Sequence, residues 1–121
     1  MPTPRIDVKQ IDNITVAMTR DMKLNDDLVI QEWSDQLVAL IDDGAAQKLI
    51  VNFERVLFMS SSALRGLITL NKKVRENNIP MVLCAIDENI MEAFRITRLD
   101  SVFTIKKTED EAVRTIVLMG D

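Results

Sequence analysis

Histidine does not occur anywhere in this 121-residue chain. Its absence excludes Ser-His-Asp and Cys-His catalysis, histidine proton shuttles and nearly every zinc-enzyme site. The single cysteine, Cys84, permits neither an internal disulfide nor a cysteine metal cluster, so a reducing compartment is expected. The three glycines, Gly44, Gly66 and Gly120, stand too far apart for a phosphate-binding loop or a dinucleotide fingerprint. Long apolar runs are lacking too. The longest stretch without Asp, Glu, Lys or Arg covers residues 77–86, well short of the ~20 residues of a spanning helix. The start, Met1-Pro2-Thr3-Pro4-Arg5-Ile6-Asp7, has no apolar segment of the signal-peptide kind. With 15 basic against 19 acidic side chains the formal charge is −4, which disfavours sequence-independent binding to nucleic-acid backbones. The expectation is a cytoplasmic protein in which residues 1–121 form one domain. No membrane insertion, direct nucleic-acid contact, cofactor or metal is expected.

What is present is an alternation of strand and helix patterns. Ile6 and Val8, then Ile14, Val16 and Met18, recur with period two and predict two short strands joined through residues 10–13 as a hairpin. After the polar stretch 19–27, with Asn25, Asp26 and Asp27 as candidate caps, Val29, Trp33, Leu37, Leu40 and Ile41 mark one face of a helix that Gly44 ends. Residues 48–53 read as a buried strand, and residues 54–59 as a loop leading into Ser60-Ser61-Ser62. A second amphipathic helix follows, with Ala63, Leu67, Leu70 and Val74 inward, stopped by Asn77-Asn78. Residues 81–86 predict a buried strand, residues 89–94 a short helix capped by Asp87, and residues 101–105 another strand. Thr108-Glu109-Asp110-Glu111 has the form of a capping box opening a last helix. The order β-β-α-β-α-β-α-β-α predicts an α/β fold: a single-layer mixed, largely parallel β-sheet with helices packed against it. The loops at 19–27 and 58–62 follow carboxyl ends of strands, where such sheets meet ligands and partners.

The serine cluster is the strongest local anomaly. Three of the chain's five serines are consecutive at Ser60, Ser61 and Ser62, where a helix begins and backbone amides favour negative charge. Helix capping is the plain reading, and one serine suffices for it. A phosphorylated serine is the sharper one, because a phosphate adds roughly −1.5 to −2 charges and three acceptor oxygens. Arg65, Lys72 and Lys73 read as a solvated helix face able to meet an acidic partner or a phosphate. Met81 and Met91 read as core filling, Trp33 as packing and Cys84 as an inert buried thiol. Asp21, Asn25, Asp26 and Asp27 lack the spacing and glycine of a calcium loop, and capping explains them better. Nothing places a lysine beside Ser62 or supplies an oxyanion hole, so no enzyme and no catalytic residue is read.

The stretch Leu49-Ile-Val-Asn-Phe-Glu-Arg-Val-Leu-Phe-Met-Ser-Ser-Ser-Ala-Leu64 resembles the signature of STAS domains, found in anti-sigma factor antagonists and in cytoplasmic parts of sulphate transporters. Pro80-Met-Val-Leu-Cys84, Phe94-Arg-Ile-Thr-Arg-Leu-Asp-Ser-Val-Phe-Thr-Ile105 and the helix start at Thr108 are similar to later segments of that family. The resemblance implies a non-enzymatic switch. An unphosphorylated antagonist sequesters an anti-sigma factor that is also a serine kinase, is released once phosphorylated, and is reset by a phosphatase. By position the phosphoacceptor falls on Ser62, with Ser61 as second choice, and Asn25, Ser60, Ser61 and Arg65 fall in the partner surface. Three positions depart from the signature: Ser60 replaces its aspartate, Ala63 its glycine, and Arg65 a small residue. A scaffolding STAS subunit of a signalling or lipid-transport complex, without a phosphoryl switch, is the alternative.

Overall fold

The N-terminal alternation forms the expected hairpin in a computed structural model that describes residues 3–119. Strand β1 (Ile6–Ile11) pairs antiparallel with β2 (Ile14–Thr19), Ile11 facing Ile14 across a tight turn in which Asp12 takes a φ of 53°. Short strand β3 (Lys23–Leu24) precedes helix α1 (Asp27–Asp42), whose N-cap is Asp26. Gly44, at φ 71°, lets the chain turn out of α1 in the left-handed region that glycine enters without steric cost. Then come β4 (Lys48–Asn52), β5 (Phe58–Met59), α2 (Ser61–Glu76), β6 (Met81–Cys84), α3 (Glu88–Ile96), β7 (Thr104–Lys106) and α4 (Glu109–Val117). The main sheet has the order β1-β2-β4-β6-β7, parallel from β2 to β7 and antiparallel only at β1, as the element order implied.

Period-two strands divide the core between the two faces of this sheet. Ala17, Leu49, Val51, Met81 and Leu83 face α1, α2 and α3, whose buried stripes include Trp33, Leu37, Leu67, Leu70 and Phe94. Ile14, Val16, Ile50, Val82 and Cys84 face the other way, against Ala112 and Ile116 of α4. Trp33 is fully buried, packs edge-on to Phe53 at a centroid distance of 6.4 Å and donates its indole N–H to Thr19 Oγ1 at 3.1 Å. A Cβ on Gly66 of α2 would lie 3.3 Å from the Trp33 ring, so a residue without a side chain is what lets α1 and α2 approach here.

The structure corrects three sequence expectations. Residues 54–59 are not simply a loop: Phe58–Met59 forms β5, which pairs in parallel with β3 as a separate two-stranded sheet. The strand expected over 81–86 stops at Cys84, because Ala85 takes a φ of 59° and turns the chain out of the extended region. The strand expected over 101–105 begins at Thr104 instead. Arg98, at φ 62°, starts a 3-10 turn over Leu99–Ser101 that buries Leu99 and Phe103, and pairing resumes only where Thr104 meets Val82.

Glu109 ties the start of α4 to β1 and β4. It pairs with Lys9 Nζ at 2.7 Å and accepts from Asn52 Nδ2 at 3.1 Å. Partial burial raises its pKa, but the bonds from Lys9 and Asn52 outweigh that and hold it below the ordinary carboxylate value. A depressed folded pKa means stability that is present above the unfolded value and lost as pH falls through the folded one. Glu109→Gln should therefore be less stable than the parent at pH 7, the gap closing below about pH 4 in urea titrations. Thr19→Val should leave the buried Trp33 N–H without an acceptor and cost about 1–3 kcal/mol in the same measurement.

Candidate functional site

Two loops meet where the parallel strands end. The loop after β2 contributes β3 and the loop after β4 contributes β5, and their backbones are bonded together. Leu57 N and Phe58 N both donate to Met22 O, at 2.8 and 3.3 Å, and Ser60 N donates to Leu24 O at 2.9 Å. Leu24 and Met59 are buried beneath this ribbon. Met22, Leu57 and Phe58 are left about half exposed on it, at 56%, 54% and 49%. Leu28, in the first turn of α1, is 67% exposed. The sequence reading did not select these four residues. The available signal was the apolar run Val56-Leu57-Phe58-Met59, of which the structure buries only the outer two.

The three serines take three different positions. Ser60 is the N-cap of α2, and its hydroxyl accepts from Ala63 N at 3.4 Å, so the capping reading holds for this residue. Ser61 is exposed, and its side chain has no hydrogen-bond partner among the described residues. Ser62, one position into the helix, is partly exposed, and its Oγ accepts from Arg65 Nη2 at 2.9 Å. Capping therefore accounts for one serine of the three.

Asn25 is brought to the same end. It follows Leu24, whose carbonyl receives the Ser60 amide, and it precedes Asp26, whose Oδ1 caps α1 by accepting from Leu28 N and Val29 N. Asp26 thus does the capping, and exposed Asn25 makes no side-chain hydrogen bond among the described residues. Arg65 lies one helical turn from Ser62, in a groove of about 430 Å³ between α1 and α2 lined in part by Ile30, Ser34, Gly66 and Thr69. Asn25, Ser60, Ser61, Ser62 and Arg65 are accordingly gathered along one end of the molecule.

The remaining candidates are occupied elsewhere. Asp21 pairs with Arg5 at 3.1 Å, and Lys73 reaches Asp42 of α1 at 3.2 Å. Cys84 is fully buried, and burial, with Glu109 and Glu54 adding to it, pushes its thiol up to about 12, so no reactive thiolate exists near neutral pH. A cavity of about 460 Å³ between α3 and β7 shares no residue with the serine groove, and its Glu88 and Arg95 pair at 2.8 Å. No helix among the described residues is long and apolar enough to cross a membrane.

Comparison with known proteins agrees with this architecture. The STAS domain family matches residues 5–112. A Bordetella bronchiseptica protein named, provisionally, as the anti-sigma factor antagonist BtrV is 24% identical over 82 residues, which cover 68% of this chain and 70% of that one. A Thermotoga maritima crystal structure, provisionally described as an anti-sigma factor antagonist, superposes with a TM-score of 0.83 at 17% identity, covering 93% of this chain and 94% of the other. The Bacillus cell-fate determinant SpoIIAA in its phosphorylated form gives a TM-score of 0.70 at 20% identity, covering 92% and 98%. Matched along nearly all of its length, with the sheet order and the strand-to-helix serine segment in place, this chain belongs to the STAS domain family.

Proposed function

We propose that this chain is an anti-sigma factor antagonist. It docks through the end formed by β3, β5 and the start of α2, and it is released when Ser62 becomes phosphorylated. The observation that carries this reading is the position of Ser62: a partly exposed hydroxyl at the rim of an apolar ribbon, on a residue that the capping of α2 does not use. A relative of the same fold exists in a phosphorylated form, which supports the class of switch. Met22, Leu57 and Phe58 would supply apolar area, each ångström² removed from water contributing roughly 25 cal/mol. A phosphate on Ser62 would bring roughly −1.5 to −2 charges into that surface, to be desolvated or repelled. Since about 1.4 kcal/mol changes an equilibrium tenfold, such a charge is enough to empty the complex.

The partner in this reading is an anti-sigma factor that is also a serine kinase, and a phosphatase restores the binding form. The chain itself performs no chemistry. Asn25, Ser60, Ser61 and Arg65 belong to the docking surface, and Ser61 is the second-choice acceptor. A scaffolding subunit without the switch would need only the Ser60 cap, and Ser62→Asp separates the two readings: strongly reduced partner affinity for a switch, little change for a scaffold.

Incubation with its anti-sigma kinase and ATP should place one phosphoryl group on Ser62, mapped by tandem mass spectrometry and lost in Ser62→Ala. Transfer elsewhere, or none, would overturn the switch. Phe58→Ala should weaken docking on the unphosphorylated chain by about tenfold or more in calorimetric titration, as expected for a central aromatic anchor. Its thermal midpoint should change little, because the ring is half exposed.

A further inference from the structure

Arg65 is the one arginine among the described residues whose guanidinium is bonded to a serine hydroxyl. Arg5, Arg20, Arg55 and Arg95 each pair with a carboxylate, whereas the guanidinium of Arg65, like those of Arg75, Arg98 and Arg114, has none within 4.0 Å among the described residues, and it donates to the Ser62 hydroxyl at 2.9 Å. The two residues are three apart on α2 and so share one helix face. The groove beside them is polar on both walls, with Gln31 and Ser34 from α1 and Thr69 from α2. Gly66 forms part of its lining, its Cβ position 3.9 Å from Ser34 Oγ and Cβ. The one carboxylate in the lining is Asp27, which an unneutralised phosphate would meet as a like charge.

We propose that Arg65 is a clamp for the phosphoryl group of phosphorylated Ser62. It turns its fork from the hydroxyl to two phosphoryl oxygens and seats the group in the groove between α1 and α2. This rests on the switch proposed above and names how the switch is held. In the transfer, the Ser62 O–H bond breaks and an Oγ–P bond forms. The bond between the γ-phosphorus of ATP and its bridging oxygen breaks, ADP leaves, and the proton passes to a base of the kinase. A planar guanidinium matches two phosphoryl oxygens as a lysine ammonium does not. Phosphorylation then acts twice on the docking surface, adding an anion and withdrawing an exposed cation that an acidic partner would otherwise meet. Ser61, with no arginine bonded to it, offers no such clamp.

Phosphoserine installed at position 62 by genetic encoding tests the clamp without any kinase. Its second ionisation, followed by phosphorus NMR, should fall by about half a unit or more below the value near 6 of free phosphoserine. In Arg65→Ala it should return to about 6, and Arg65→Lys should lie between. Phosphoserine at position 61 should titrate as the free amino acid does. Circular-dichroism melts establish that each variant folds, and Arg65→Gln replaces the alanine variant if that one does not. Equal titration of the parent and the Arg65 variants would overturn the clamp, as would an equal shift at position 61. Failure of the kinase to modify Ser62 would remove the switch and leave this titration interpretable.

Discussion

Two residues pairing with two others hold the candidate docking end together. Lys23–Leu24 and Phe58–Met59 form a parallel ribbon outside the main sheet, joining the loop that follows β2 to the loop that follows β4. Without that ribbon the two loops would leave neighbouring strands independently. With it, Met22 O receives two amides from the other loop and Leu24 O receives the amide of Ser60. The apolar exposure is a direct consequence. A two-residue strand still has two faces, and only Leu24 and Met59 reach the core, so Phe58 remains on the outside beside Met22 and Leu57. The same bonds fix where α2 begins, and hence where Ser62 stands.

The packing of α1 on α2 sets the other half of the site. Trp33 is anchored from three directions: Thr19 at its indole nitrogen, Phe53 at its ring edge and the bare backbone of Gly66 against its outer ring. That fixes the spacing of the two helices and leaves a polar groove running past Ser62 and Arg65. In the proposed switch, adhesion and control would be carried by different residues. Exposed apolar side chains on the ribbon would supply area to a partner, while a hydroxyl and a cation on the neighbouring helix turn would decide whether docking is allowed. Charge is an effective control because a dianion is costly to desolvate, whereas the apolar contacts are unaffected by phosphorylation.

Local chemistry was legible in the sequence. Ser60, Asp87 and Thr108 cap the helices at which they were expected, and Asp26 proved to be the cap among the three candidates before α1, because capping involves only amides two or three residues away. The inward face of α2 followed from spacing for the same reason, and so did Trp33, Leu37 and Ile41 of α1, although Ile30 is buried there in place of the expected Val29, which with Leu40 is only partly buried. The misread stretches share a different property. Ala85 and Arg98 adopt left-handed conformations that non-glycine residues rarely signal, and both mark the boundary of a strand or helix. The strands β3 and β5 are too short to display a period, so their pairing left no pattern to read.

The sequence by itself determined the order of strands and helices, most of the faces they bury, the absence of histidine and of any internal disulfide, and the placing of three serines at the start of a helix. These follow from relations among residues within a few positions of one another. Only the tertiary structure decided that Met22 lies against Phe58, that Asn25 sits beside Ser60, and that α1 and α2 leave a groove at Arg65. Each of those depends on the spacing of segments tens of residues apart, which is fixed by side-chain volume and long-range backbone bonding and by nothing written locally in the chain.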